Sequence, residues 1–192
     1  MGGWDAYRAK HLEKYEEAKR SGAVDPPIVP LLDAINSRED YVTTSSCSGR
    51  ITLLSASRSE RKGETFFYRK WHRPVLFEEL WGAIREYSGG GRLLLKLDPF
   101  ILHVGARDLD AALSLLHVAR GAGVKIAGIQ SADGTKVHVE LRGIDSVSLP
   151  VWDGSVLVSE DYVRYMTKYL NWKILRNQER LERLYRAVVT EL

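Results

Sequence analysis

Four small polar residues in a row, Ser45-Ser46-Cys47-Ser48, run into Gly49 and Arg50 and form the densest cluster of potential chemistry in the chain. The serines offer hydroxyls. Gly49 permits a positive φ or a close backbone approach, and Arg50 supplies a planar cation with a fork of donors. A tight turn built from such groups suits a carboxylate or a phosphate. The composition alone also fits a polar β-turn closed by a capping arginine. Cys47 is the one cysteine. No sequence-local base activates its thiol, so packing or hydrogen bonding is the expected role. His103 lies between Leu102 and Val104 in an apolar stretch. A histidine there is either a satisfied core residue or an imidazole able to take a proton.

A second cluster spans residues 58–73. Arg58, Arg61, Lys62, Arg69, Lys70 and Arg73 alternate with Phe66, Phe67, Tyr68 and Trp71, and Glu60 and Glu64 oppose the charge only in part. Cations that hold phosphates beside rings that stack splayed bases fit RNA recognition; a solvated hairpin with its rings in the core fits equally. Lys168, Lys173, Arg176, Arg180, Arg183 and Arg186 lie near the C-terminus, the later ones with acidic neighbours, and read as a solvated face. His11, His117 and His138 read as surface or structural residues. No histidine and carboxylate pair has metal-site spacing, so no metal is expected.

The elements that must position these groups follow from periodicity. Trp4, Tyr7, Leu12, Tyr15 and Ala18 recur at helical spacing over 4–20, and a second helix covers Val29 to Ile35. Strands are expected at Tyr41–Thr44, Ile51–Leu54, Thr65–Tyr68, Leu93–Leu97 and Phe100–Val104, with a helix from Val75 to Tyr87. Asp108 is the expected N-cap of a helix through Arg120 closed by Gly121 or Gly123. Ile126–Gln130 and Val137–Leu141 flank an Asp133-Gly134 turn as a hairpin. Short strands follow near Val147–Leu149 and Ser155–Val158, and Ser159 caps a last helix over about 159–189. The order predicts an α+β, two-layer sandwich on a mixed, largely antiparallel sheet. Gly89-Gly90-Gly91 and Gly121-Ala122-Gly123 each follow a helix, so neither suits a Rossmann-type cofactor loop.

The chain has 192 residues, 44% of them hydrophobic, which fits one domain over 1–192. A net charge of +3 does not by itself argue for nucleic acid. One cysteine excludes an intrachain disulfide and all-protein zinc-finger or iron–sulfur cages, and it fits a reducing compartment. No signal-peptide core and no apolar run near the roughly 20 residues of a membrane helix are present, so a soluble, cytoplasmic chain without membrane partners is expected, with a monomer favoured.

Ser-Ser-Cys-Ser-Gly-Arg after a strand resembles the Ser-x-Ser-Ser-Cys-x-Gly-Arg signature of the tRNA wybutosine-synthesising protein 3 family, with Thr43 at the position of its first serine. Pro30–Asn36, Leu97–Val104, Val158–Tyr162 and Glu182–Tyr185 are similar to further segments of that family, so the resemblance covers nearly the whole chain. Asp98 stands where a glutamate is expected, and His72 matches a family histidine loosely. The resemblance implies methyl transfer from S-adenosylmethionine to N4 of a wyosine-type guanine 3′ of the anticodon of phenylalanine tRNA, on a fold unlike the usual methyltransferase. It implies that Ser45, Ser46, Cys47, Gly49 and Arg50 border the cofactor and that His103 is the base, with Asp98 and His72 as further candidates. Phenylalanine tRNA would meet Arg58, Arg61, Lys62, Arg69, Lys70 and Arg73. The alternative is a non-enzymatic RNA-binding module with the same surface; specific S-adenosylmethionine binding separates the two.

Overall fold

The computed structural model describes residues 3–57 and 63–192, so the expectations on Arg58, Arg61 and Lys62 lie outside the described residues. In chain order the elements are α1 (Trp4–Arg20), α2 (Val29–Asn36), β1 (Tyr41–Cys47), β2 (Arg50–Ala56), β3 (Thr65–Trp71), α3 (Phe77–Glu86), β4 (Arg92–Asp98), β5 (Ile101–Ala106), α4 (Leu109–Gly121), β6 (Ile126–Ala132), β7 (Val137–Arg142), β8 (Val147–Trp152) and α5 (Glu160–Glu191). The chain is α+β, as expected, and among the described residues there is no Rossmann-type parallel sheet. The single mixed sheet expected from the strand order is instead two four-stranded sheets, β1-β5-β7-β6 and β3-β2-β4-β8, and each pairing within them is antiparallel. Strands adjacent in sequence part company: β1 pairs with β5 while β2 pairs with β4. No helix among the described residues is long and apolar enough to cross a membrane.

Two compact units result. The first comprises Met1–Ser48, Phe100–Ile144 and Asn177–Leu192, and the second Gly49–Pro99 and Asp145–Arg176. In the first unit Leu31, Leu32 and Ile35 of α2 share one helical face, joined by Leu115 and Leu116 of α4 and by Leu181 and Leu184 of α5. Leu102 and Val104 of β5 and Val137, Val139 and Leu141 of β7 alternate into that core. The period of two sends His103, His138 and Glu140 to the opposite face. In the second unit Leu93, Leu95 and Leu97 of β4 alternate against Leu80 and Ile84 of α3 and Val163, Met166, Leu170 and Ile174 of α5. Full burial of each such side chain stabilises by about 1.5–3 kcal/mol.

The expected ends hold in detail. Asp108 accepts from the Ala111 N–H at 2.9 Å, Gly123 takes φ +88° just past α4, and the Ser159 hydroxyl accepts from Tyr162 N–H at 3.2 Å. Ser155–Val158 is not a strand. Asp153 and Gly154 (φ +75°) reverse the chain after β8, and a lone bridge from Val156 to Trp152 precedes α5. Pro150 lies in β8, an edge strand, where a missing N–H is tolerated.

Candidate active site

β1 carries the first part of the signature, Thr43 to Cys47, and a bulge in it aims the serines. The register with β5 steps from Thr43 opposite Val104 to Ser45 opposite His103, leaving Thr44 as the extra residue. The step turns the exposed Ser45 onto the face of His103. The Ser45 Oγ lies 2.8 Å from His103 Nδ1. The other ring nitrogen, Nε2, lies 3.0 Å from Glu140 Oε2, since Glu140 sits directly across from His103 in β7. Hydroxyl, imidazole and carboxylate thus form one hydrogen-bonded line. The His103 and Glu140 side chains are 34% and 21% exposed, so the line is open to a ligand at its serine end.

Buried polar side chains clamp both ends of this strand. Asn36 donates to the Thr43 hydroxyl at 2.9 Å and accepts from the Thr43 N–H at 2.8 Å. Asn177 donates to the Ser48 carbonyl at 2.7 Å and accepts from the Phe100 N–H at 2.8 Å, and Asp25 accepts from the Ser48 N–H at 2.8 Å. These bonds hold the strand on either side of the serines.

α1 lies beside the same strand. Gly105 makes room for it, because a Cβ there would meet the Tyr7 ring at 2.8 Å. Tyr7 packs between His11, at 4.5 Å between ring centroids, and His138, at 5.8 Å, with the Lys136 ammonium 4.9 Å from its ring centre. Burial, then Lys14 and Lys10, and then His138 and Lys136, lower the His11 pKa. Burial and Lys136 likewise lower that of His138. Burial and Asp133 raise that of Tyr7. A cleft of about 330 Å³ opens between α1 and β1, lined by His11, Lys14, Tyr15, Thr43, Thr44, Ser45 and Ser46 among others.

The expected site residues divide between the two units. Ser45 and Ser46 line the cleft, and Cys47 is half-buried opposite Ile101. Gly49 takes φ +94°, the positive value expected between the two strands. In the second unit Arg50 stands opposite Asp98, with its Nε 3.4 Å from the carboxylate and its guanidinium 4.4 Å from the Phe67 ring centre. Lys96 also reaches Asp98, at 3.5 Å. The acid on His103 is Glu140, a residue sequence reasoning missed. The alternation His138-Val139-Glu140 puts Glu140 on the right face, but its partner strand is not visible in sequence. His72 follows β3, half-buried. Arg69 and Lys70 are exposed on β3, an edge strand, and Phe66 and Phe67 beside them are 58% and 45% exposed. Arg73 makes a bidentate pair with Glu79 at 2.7 and 3.0 Å, which pulls the Glu79 pKa down to about 2.

The family described as Methyltransferase TYW3 matches residues 6–190. The chain is 39% identical over 174 residues to the tRNA(Phe) 7-((3-amino-3-carboxypropyl)-4-demethylwyosine(37)-N(4))-methyltransferase 1 of Pyrococcus furiosus, an overlap of 90% of this chain and 88% of that protein. It is 33% identical over 184 residues to the tRNA wybutosine-synthesizing protein 3 homolog of Mus musculus, covering 93% of this chain and 70% of that one. The solved structure of the PH1069 protein from Pyrococcus horikoshii shares the fold with a TM-score of 0.91 and 34% identity, over 97% of this chain and 96% of that one. A hypothetical protein from Aeropyrum pernix does so with a TM-score of 0.73 and 29% identity, over 88% and 100%. The signature on β1, a match that runs almost end to end and a fold shared with these neighbours lead to one conclusion: this chain belongs to the TYW3 methyltransferase family.

Proposed function

We propose that the chain transfers a methyl group from S-adenosylmethionine to N4 of a 4-demethylwyosine-type guanine, 3′ of the anticodon in phenylalanine tRNA, as a cytoplasmic monomer in wybutosine or wyosine synthesis. The name of the Pyrococcus furiosus relative supports this substrate. The observation that carries it is the Ser45–His103–Glu140 line at the edge of a cleft walled by the signature strand.

The cleft fits the methyl donor in size and chemistry. About 330 Å³ lies within the range of small-molecule sites, about 300–1,000 Å³. Its wall offers the hydroxyls of Thr44, Ser45 and Ser46 and the Lys14 ammonium, partners for an amino-acid carboxylate and a ribose. Ser45 and Ser46 with Lys14 would hold it, whereas Arg50 engages Asp98 and Phe67 in the second unit. When bound, S-adenosylmethionine supplies an electrophilic methyl carbon. The chain itself must align the acceptor nitrogen and receive its proton. Glu140 accepts from His103 Nε2–H, which leaves Nδ1 as the acceptor of the Ser45 hydroxyl proton. The serine oxygen then has lone pairs free to accept from the substrate N–H, and the proton can pass through Ser45 to His103. Exposed Arg69 and Lys70, with Phe66 and Phe67, are proposed to hold the RNA; Arg73 contributes less, being paired with Glu79. Asp98 and His72 rank behind His103 as candidate bases.

Mass spectrometry of nucleosides from precursor tRNA incubated with the protein and S-adenosylmethionine tests the proposal. The tricyclic base should gain one methyl group, and no gain would refute the activity. Lys14→Ala with Ser46→Ala should lower kcat/KM sharply; a folded variant with unchanged kcat/KM removes the α1–β1 cleft as the cofactor site.

A further inference from the structure

Residues Tyr162 to Arg176 of α5 hold four cations, Arg164, Lys168, Lys173 and Arg176, and no Asp or Glu. The apolar side of this stretch, Val163, Met166, Leu170 and Ile174, is buried in the second unit. The other side is unusual for a solvated helix. Tyr162, Tyr165 and Trp172 are 42%, 63% and 48% exposed, and Tyr169 lies between them half-buried. Spacings of three and four residues stack these rings along one stripe. Tyr165 and Tyr169 are parallel at 6.4 Å, and Tyr169 meets Trp172 at 5.9 Å. The Arg176 guanidinium and the Lys173 ammonium lie 5.0 and 4.8 Å from the Trp172 ring centre. Arg164 is paired with Glu160 and Lys173 with Asp145, whereas Lys168 and Arg176 are exposed on the stripe itself. The sequence reading of this segment as a merely solvated face does not account for the rings.

We infer that this face of α5 is a stacking platform for unpaired nucleotides of the tRNA. Exposed rings interleaved with cations, without a single acid over four turns, complement a polyanion whose bases are free to stack, and they do so for any base identity. A duplex would present no free base faces to the tyrosines. An apolar protein partner would leave the exposed Lys168 and Arg176 charges unanswered. The platform rests on the tRNA reading above and adds a location to it that the signature does not indicate.

The test is binding of an unmodified phenylalanine tRNA transcript across a salt series. Tyr165→Ala with Trp172→Ala should weaken binding by at least about tenfold, since base–aromatic stacking is worth about 1–3 kcal/mol per base. Tyr165→Phe with Trp172→Phe should restore it, which separates stacking from folding. Lys168→Gln with Arg176→Gln should flatten the dependence of log affinity on log salt by about 1.4, at about 0.7 per phosphate contact on a single strand. If the parent protein binds and the alanine variant binds as tightly, the platform is refuted while the tRNA reading stands. If the parent protein does not bind tRNA, both fall. If the alanine variant changes only sedimentation, the stripe joins copies of the chain and the platform is refuted.

Discussion

Replacing Glu140 by Gln removes one negative charge and almost no volume from the Ser45–His103–Glu140 line. In the parent protein the carboxylate lies 3.0 Å from His103 Nε2, which puts the two charge centres about 4 Å apart once the ring carries a second proton. The pair is only partly buried, at 34% and 21% side-chain exposure. Two unit charges at that separation attract by about 1 kcal/mol in water and about 4 kcal/mol at an effective dielectric of 20. An intermediate environment gives about 2 kcal/mol, or roughly a 30-fold fall in the methyl-transfer rate. His103→Ala should cost more, about a hundredfold to ten-thousandfold, because the acceptor itself is lost. Single-turnover transfer to precursor tRNA reads the step directly, and KM for both substrates should stay near the parent values. The decisive measurement is the double variant. Glu140 acts through His103, so Glu140→Gln should change little once His103 is alanine. A full 30-fold loss in the His103→Ala background, or no loss at all in the parent background, would refute the coupling. Thermal melts of each variant separate misfolding from either outcome.

Asn177→Ala takes the acceptor from the buried Phe100 N–H and the donor from the Ser48 carbonyl; about 2–4 kcal/mol should be lost, seen as a fall in Tm of roughly 5–15 °C, and a change below about 3 °C would contradict the clamp. His11 and His138 titrate below the ordinary value of 6.5 in the folded chain, so below about pH 6.5 the unfolded chain binds protons that the folded chain does not. The stability they contribute is present above pH 6.5 and is lost as pH falls through their folded values; melts of His11→Gln with His138→Gln should decline less steeply with acid, and an unchanged slope would exclude these groups. Finally, the chain passes between its units at Ser48–Gly49, Pro99–Phe100, Ile144–Asp145 and Arg176–Asn177, and α5 runs unbroken through the last of these. Neither unit is a contiguous segment, so we propose that residues 1–192 unfold as one domain; circular dichroism and tryptophan fluorescence should show one coincident transition, and two separated transitions would count against it.

Much of this molecule is legible in sequence because its physics is local. The helices follow from apolar spacing, the caps at Asp108 and Ser159 from hydroxyl and carboxylate chemistry, and the turn at Gly49 from a residue that tolerates positive φ. Alternation in Leu102-His103-Val104 and Val137-His138-Val139-Glu140-Leu141 is present in the sequence, yet it leaves open whether His103 faces the core; the strands' burial of Leu102, Val104, Val139 and Leu141 decides it. The signature on β1 is a linear string and carries the family with it. What sequence does not hold is which strand lies beside which. The β1–β5 and β2–β4 pairings join residues 36 to 65 positions apart, and nothing local favours them over hairpins. That choice splits the expected single sheet in two, and it sets Glu140 rather than a sequence neighbour against His103. The bulge at Thr44 decides the rest, since shifting β1 by one residue is what places the Ser45 hydroxyl, and not that of Thr44, on His103 Nδ1. Residue types supplied the groups; long-range strand pairing alone made them a line.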